Sequence, residues 1–325
     1  MQLPIDIAQY FAAGKPFAIF RFPGEDDIRV AGKDGMFSIN SWNTPSTDNV
    51  CVNDAPIGLP KIEPWPQSTP YDDYIASTAR LIGELKGRGG KCVRSRVTAK
   101  VGTQIDLNKA VAELFERFPA AFCHCYYTSQ TGLWAGATPE LLIDIKDGMT
   151  KTMALAGTRP YGTSAPWDIK NIEEQSLVVR FICDSMRTCG MIPEVSEART
   201  LRYGEIEHIC TDIEAHTSKI DINALLDALS PTPAVSGYPR DIAVVEIEKY
   251  EDAPRRCYGG YIMVSDCAGR VRAYVNLRCA QLSPGAWCVY AGGGITPRSS
   301  APEEWLETEA KSAAWIEILK KHTLS

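Results

Sequence analysis

Several absences narrow the field first. The chain holds only four histidines and, despite 11 cysteines, no CxxC pair, so the usual ligand spacing of a zinc site is missing. The tightest cluster, Cys123-His124-Cys125, is too closely spaced for such a site and reads as a strand. An odd cysteine number in a chain this long also speaks against a disulfide scaffold, and reduced, mostly buried thiols are expected. No apolar run approaches the ~18 residues needed to span a bilayer. Asp6 interrupts the one stretch that could pass for a signal peptide, so a cytoplasmic protein without membrane contact is expected. There is no basic excess: 34 Lys and Arg stand against 40 Asp and Glu, a net charge of −6, which argues against a nucleic-acid partner. Repeats and low-complexity linkers are absent as well. What is there is an ordinary globular composition, 45% hydrophobic and 23% charged over 325 residues, long enough to bury a large core.

The pattern of apolar residues predicts helices over 71–86, from the Asp106 cap to 117, over 169–188, 223–229 and 302–321. It predicts strands at 17–22, 91–98, 200–210, 260–265, 270–281 and 286–291. Two hairpins are expected, one pairing 122–127 with 132–137 and the other pairing 141–145 with 151–156. Six prolines between Asn43 and Pro70 mark a loop-rich segment. Strands joined by hairpins, with helices in long excursions, indicate an antiparallel α+β architecture. No composition break divides the chain, so a single domain over 1–325 is expected.

Several residues stand out chemically. On the last helix, Ser300-Ala301-Pro302-Glu303 forms a capping-box sequence, and Glu304, Glu307 and Lys311 then share one face. That face is either solvated and charged or part of a site. On the long helix, Glu174 falls on the same side as Leu177, Val178, Phe181 and Ile182, where an unpaired carboxylate is costly. It needs a basic partner or a hard cation; two carboxylates completed by substrate oxygens and water suit Mg²⁺. Gly292-Gly293-Gly294 is either a tight turn or a backbone cradle for an anion. Arg278 alternates with Val275, Leu277 and Cys279, placing it on a polar face as a surface residue or a carboxylate clamp. Lys91 opens a strand, by default at the surface, and Glu140 follows Pro139 at a strand end.

Together these pieces resemble the chorismate-utilising enzymes, and within them the isochorismate synthases of the menaquinone and siderophore type. The matching runs are Gly90-Lys91-Cys92-Val93-Arg94-Ser95-Arg96, Gly136-Ala137-Thr138-Pro139-Glu140-Leu141-Leu142 and Ala154-Leu155-Ala156-Gly157-Thr158-Arg159. They continue through 170–179, Pro231-Thr232-Pro233-Ala234-Val235-Ser236-Gly237-Tyr238-Pro239, Tyr258-Gly259-Gly260, Leu277-Arg278-Cys279-Ala280 and Ala291-Gly292-Gly293-Gly294-Ile295, and end with Glu304-Trp305-Leu306-Glu307-Thr308 and Lys311. The match spans Lys91 to the C-terminus in family order. The first 90 residues resemble the family weakly and look shortened.

The resemblance implies two large, mostly antiparallel β-sheets packed face to face with helices outside. It implies a monomer that takes chorismate, with Mg²⁺ held by Glu174 and Glu307. Gly157, Thr158, Tyr258, Arg278, Lys311 and the amides of Gly292, Gly293 and Gly294 would hold the substrate. Lys91 would be the base that deprotonates the water attacking ring C2. The ammonia-using branches lack this lysine. Glu140 would be the acid that protonates the departing C4 hydroxyl. Acting as a base requires a neutral Lys91, favoured by partial burial and nearby positive charge. His208, Ala234 and Glu304 would lie beside the site. Gln175 and Ser230 stand where the family usually has histidine, and changes in packing are expected there. The rival readings are a lyase of the same fold, giving salicylate or an aminated ring, and a non-catalytic chorismate-binding protein.

Overall fold

A computed structural model describes residues 1–43, 47–50, 65–216 and 220–324. In chain order the elements are α1 (Ile7–Ala12), β1 (Phe17–Arg21), β2 (Arg29–Val30), β3 (Met36–Asn40), β4 (Thr47–Val50), α2 (Tyr71–Arg88), β5 (Lys91–Val101), α3 (Leu107–Arg117), β6 (Phe122–Thr128), β7 (Gly132–Thr138), β8 (Leu141–Lys146) and β9 (Met149–Pro160). There follow α4 (Ile169–Thr188), β10 (Glu194–Val195), β11 (Arg199–Tyr203), β12 (Ile206–His216), α5 (Ile222–Leu229), β13 (Gly237–Tyr238), α6 (Arg240–Tyr250), β14 (Tyr261–Ser265), β15 (Val271–Val275), β16 (Cys279–Ser283), β17 (Ala286–Ile295) and α7 (Ala301–Lys321). One sheet has the order β13-β5-β17-β16-β7-β6-β1-β2. The second runs β10-β12-β9-β8-β15-β14-β3-β4, with β11 also paired to β12. The α+β class and the two antiparallel sheets expected from the sequence are both present.

Strand periodicity explains the layers. Side chains alternate between the two faces of a strand. In β6, Cys123, Cys125 and Tyr127 pack outward with α1, α3 and α7, while Phe122 and Tyr126 face the second sheet. Both faces are buried, so the strand reads as a continuous apolar run. The same alternation parts Cys123 and Cys125 from His124, which stacks on Phe122 and Tyr126. The layer between the sheets is aromatic. Phe122 and Tyr274 stack across it with centroids 4.2 Å apart, and Phe37 meets Phe20 and Tyr126. Helices α4 and α5 cover the far side of the second sheet through Val178, Ile182, Met186, Leu225 and Leu229. Helices α2 and α6 close the end where β5 and β17 meet.

Two expectations need correction. The strand expected over 200–210 is a hairpin of β11 and β12, turned at Gly204, whose φ of 58° favours glycine. The strand expected over 270–281 is two strands in different sheets, β15 in the second and β16 in the first. Between them the chain changes sheet at 276–278. The strands β7 and β8 make the opposite crossing at Pro139-Glu140. The two crossings are tied together: Val275 N donates to Glu140 O at 3.0 Å and Ala137 N to Arg278 O at 3.2 Å. A pair of neighbouring strands thus folds from one sheet into the other as a unit. Both crossings bear expected site residues.

Smaller expectations resolve simply. Ser300 is the N-cap of α7 with no side-chain cap hydrogen bond, so the capping box is not formed. Ten cysteines are free, eight of them buried; Cys51 lies outside the described residues, as does most of the proline-rich segment. The weakly resembling N-terminal residues supply β1 and β2 to one sheet and β3 and β4 to the other.

Phe122 has no exposed surface and touches aromatic rings from both sheets. Replacing it by Ala is expected to cost about 3–5 kcal/mol. Equilibrium urea denaturation checks this, with a lower midpoint and an unchanged slope expected.

Candidate active site

The site is built around the end of β17. The three glycines are not a loop after the strand, as expected, but strand residues paired with β5, Gly292 opposite Ser95, Gly293 opposite Arg94 and Gly294 opposite Val93. Their missing side chains make room for others. A Cβ on Gly292 would lie 2.7 Å from the Tyr258 hydroxyl, one on Gly293 2.7 Å from Glu304 Oε2, and one on Gly294 would overlap Glu174 Oε1 and lie 2.8 Å from Lys91 Cε. Beyond Val289 the strand has no β16 partner, so the second edge of the glycine run is open. Lys311 Nζ donates to Gly292 O there at 2.9 Å. In an antiparallel ladder a residue's N–H and C=O point to the same side, so the Gly292 amide shares that open edge.

Charged side chains converge on this edge. Glu174, from α4, is 7% exposed and lies 2.9 Å from Lys91 Nζ. The basic partner that its apolar helix face demands is therefore Lys91. Lys91 is not at the surface: it is fully buried. The charge beside it is a carboxylate, not the positive group that the sequence reading called for. From α7, Glu304 pairs with Lys170 at 2.6 Å, and Glu307 pairs with Lys311 at 2.6 Å. The shared face of α7 is thus turned inward.

The titration directions follow from this packing. Burial and the neighbouring Glu307 push the Glu304 carboxyl above its usual range. For Glu307, burial acts upward, but Lys311 and Lys170 outweigh it and hold the carboxylate low. Lys170 feels burial downward and then Glu304, Glu307 and Glu174 upward, with a net rise. Glu174, Glu304 and Glu307 therefore form one acidic group around Lys170. Among the described residues no group of three or more His, Cys, Asp or Glu forms a ready-made metal cage. Yet Glu304 Oε2 is buried without a hydrogen-bond partner, and hard carboxylate oxygens against a bare strand edge suit a hard divalent cation.

Glu174 and Lys311 border a cavity of about 60 Å³ that also includes Gly292, Gly294 and Tyr258. Glu140, Gly157, Thr158, His208, Ala234 and Arg278 line its remaining walls. Lys91, Gly293, Glu304 and Glu307 stand behind that lining. Glu140 is 2% exposed. Burial pushes its carboxyl up to about 7, against the Thr232 hydroxyl, Lys91, Lys311 and Arg278, which act downward.

Arg278 reaches the cavity differently from the alternation argument. It sits in the crossing between sheets with a φ of 49°, and its carbonyl accepts from Trp315 Nε1 at 2.7 Å. Its guanidinium Nη2 lies 3.0 Å from His208 Nε2. The other ring nitrogen, Nδ1, lies 2.7 Å from Gly157 O. A carbonyl only accepts, so Nδ1 carries the proton and Nε2 receives the guanidinium. Burial, with Arg278 and Lys311 nearby, lowers the His208 pKa to about 3 and keeps the ring neutral. The Gly157-Thr158 bulge in β9 is fixed by Asn171, whose Oδ1 accepts from Thr158 N at 3.1 Å and which Asp168 holds in turn.

Sequence reasoning assigned no role to Lys170, Asn171, Thr232 or Tyr290. Lys170 and Thr232 lie inside recognised runs, but their partners are 134 and 92 residues away. The two departures from the family pattern both have structural contacts. Gln175 Nε2 donates to Ala154 O at 2.9 Å, and Ser230 caps the C-terminus of α5.

The comparisons with known proteins bear on this geometry. The sequence profile of a family described as chorismate binding enzyme matches residues 61–320. The "Salicylate biosynthesis isochorismate synthase" of Pseudomonas aeruginosa is 32% identical over 247 residues, 72% of this chain and 52% of that protein. "Isochorismate synthase MenF" of Escherichia coli K12 is 29% identical over 271 residues, 79% of this chain and 61% of that protein. The chain thus spans between half and two thirds of these curated relatives. Among solved structures, Escherichia coli MenF superposes with a TM-score of 0.80 at 20% identity, over 98% of this chain and 92% of its own. Anthranilate synthase component I of Streptococcus pneumoniae does so with a TM-score of 0.66 at 21% identity, over 80% and 61%. These likenesses establish the shared fold.

A methyl group at 294 would displace the Glu174 carboxylate and the Lys91 stem. Gly294→Ala is expected to keep the far-ultraviolet circular dichroism of the parent. Its thermal unfolding midpoint should fall below that of the parent, because the added methyl pushes apart the buried Lys91–Glu174 pair.

Proposed function

We propose that this chain, which belongs to the chorismate-binding enzyme family, is an isochorismate synthase. The observation that carries the reading is a buried lysine, Lys91, beside the carboxylate group, combined with a buried and protonatable Glu140 in the adjoining cavity wall. A water-adding reaction needs both a base and an acid. The names of the relatives point the same way.

In this reading Arg278, oriented by neutral His208, and Lys311 bind the two carboxylates of chorismate. Tyr258 and the Gly292 amide border the same space. Glu174 and Glu307 would hold Mg²⁺, which would supply Lewis-acid chemistry. Lys91 takes a proton from the water that attacks ring C2. The ring double bonds shift, the C4–O bond breaks with its electron pair leaving on oxygen, and Glu140 protonates that oxygen. One water is gained and one lost, so the product is an isomer.

With its ion pairs closed the cavity, about 60 Å³, is far below the ~300 Å³ of a usual small-molecule site. Substrate entry therefore requires Lys91, Lys311 and their glutamates to part, and the incoming carboxylates and metal take over the partners released.

The test is purified protein with chorismate and Mg²⁺, with and without added ammonium ion, read by chromatography and mass. A product of unchanged mass and altered retention is expected; salicylate, an aminated ring, or no product would each overturn the reading. Lys91→Gln should lower kcat by about 10²–10⁴-fold with the far-ultraviolet circular dichroism of the parent, although loss of the buried partner of Glu174 should lower the thermal unfolding midpoint. Glu307→Gln should raise the Mg²⁺ concentration for half-maximal rate well above the parent value. Glu140 must be protonated to act, so kcat should fall as pH rises through about 7, measured as a rate profile at saturating chorismate.

A further inference from the structure

Thr232 is absent from the roles assigned above, yet among the described residues it makes the one side-chain hydrogen bond to the Glu140 carboxyl. Its Oγ1 donates to Glu140 Oε1 at 3.1 Å, and both residues are buried, at 3% and 2% exposure. We propose that Thr232 is a positioning residue that fixes which oxygen of Glu140 carries the transferable proton, an inference that rests on the acid role of Glu140 proposed above.

Three observations carry it. First, among the described residues the Thr232 hydroxyl has no other hydrogen-bond partner. A hydroxyl with a single available acceptor donates to it, so Oε1 accepts and the acidic proton is left to Oε2. Second, the hydroxyl is held on stiff backbone. Thr232 stands between Pro231 and Pro233; the prolines fix their own φ, and Pro233 confines Thr232 to extended conformations. Its carbonyl accepts from Val235 N at 3.0 Å and from Ser236 N and Oγ, both at 2.8 Å. Third, the backbone of Glu140 is anchored, the N–H on Thr138 Oγ1 at 3.2 Å and the C=O on Val275 N at 3.0 Å. Donor and acceptor are therefore both carried on hydrogen-bonded main chain.

The contact also acts on the rate. As the proton leaves Oε2 for the C4 oxygen, the C4–O bond breaks and Glu140 becomes a carboxylate. The Thr232 bond then becomes charge-assisted and stronger than in the ground state. Only an interaction that strengthens toward the transition state speeds the chemical step.

The test compares the parent protein with Thr232→Val and Thr232→Ser. Thr232→Val should lower kcat about 10- to 100-fold and leave KM within about threefold, and Thr232→Ser should recover most of the loss. Infrared spectroscopy follows the protonated carboxyl band of Glu140, identified by its disappearance in Glu140→Gln. Removing a donor destabilises the charged form, so the titration midpoint of that band should rise in Thr232→Val and return in Thr232→Ser. If Thr232→Val does not fold, Thr232→Ala takes its place. An unchanged band midpoint overturns the proposal whatever the turnover, as does a loss confined to KM. A parent protein that leaves chorismate untouched overturns the functional reading instead, while the band still decides whether Thr232 governs the Glu140 proton.

Discussion

The whole site depends on a length of strand that has no side chains. Between Ala291 and Ile295 the chain keeps its ladder with β5 while presenting bare backbone on both faces. Strand alternation assigns the two faces different neighbours. Tyr258, Glu174 and Lys91 come up against Gly292 and Gly294, and Glu304 and Glu307 against Gly293. Groups from α4, α7 and β5 thereby gather around one strand end. The usual separation of sheet and helix layers would hold their carboxylates apart.

Gathering charge in this way demands compensation, because an unpaired buried carboxylate is costly. The protein meets the demand with lysines, Lys91 for Glu174, Lys170 for Glu304 and Lys311 for Glu307. Such pairs contribute little net stability, since burying both partners offsets their attraction. In the proposed reaction they would be holding places, their charges taken over by a dianionic substrate and a divalent cation. The chain's net −6 is silent about all of this, because the local balance at the cavity, with Arg278 and Lys311 in its wall, is set independently of the surface.

Much of the fold was legible because its signals are local. The ends of α4 at Ile169 and Thr188 and the Asp106 cap of α3 follow from capping and periodicity alone. The errors share one cause. Alternation across 270–281 continues smoothly through the crossing between sheets, since residues buried on both sides look alike to a two-residue period, and Arg278 was placed by that false continuity. The glycine run reads in sequence as a turn or an anion cradle after the strand, because a strand whose side chains are supplied by distant elements has no local signature. Glu174 announced its need for a partner through its apolar helix face, but not that the partner was Lys91, 83 positions earlier in the sequence. Motif resemblance located most of the lining residues, and only coordinates could show Lys170 bridging α4 to α7 or Thr232 touching Glu140.

The tied crossings have a mechanical meaning. Glu140 and Arg278 ride on the two places where adjacent strands leave one sheet for the other, and each crossing is hydrogen-bonded to its neighbour. In a sandwich, the softest deformation is one sheet sliding over the other. At this corner sliding is resisted by two covalent crossings and the hydrogen bonds between them, so the corner acts as a fulcrum for shear. Displacement grows with distance from a fulcrum and vanishes at it. Slow breathing of the outer strands and helices therefore leaves the spacing of these two residues nearly unchanged.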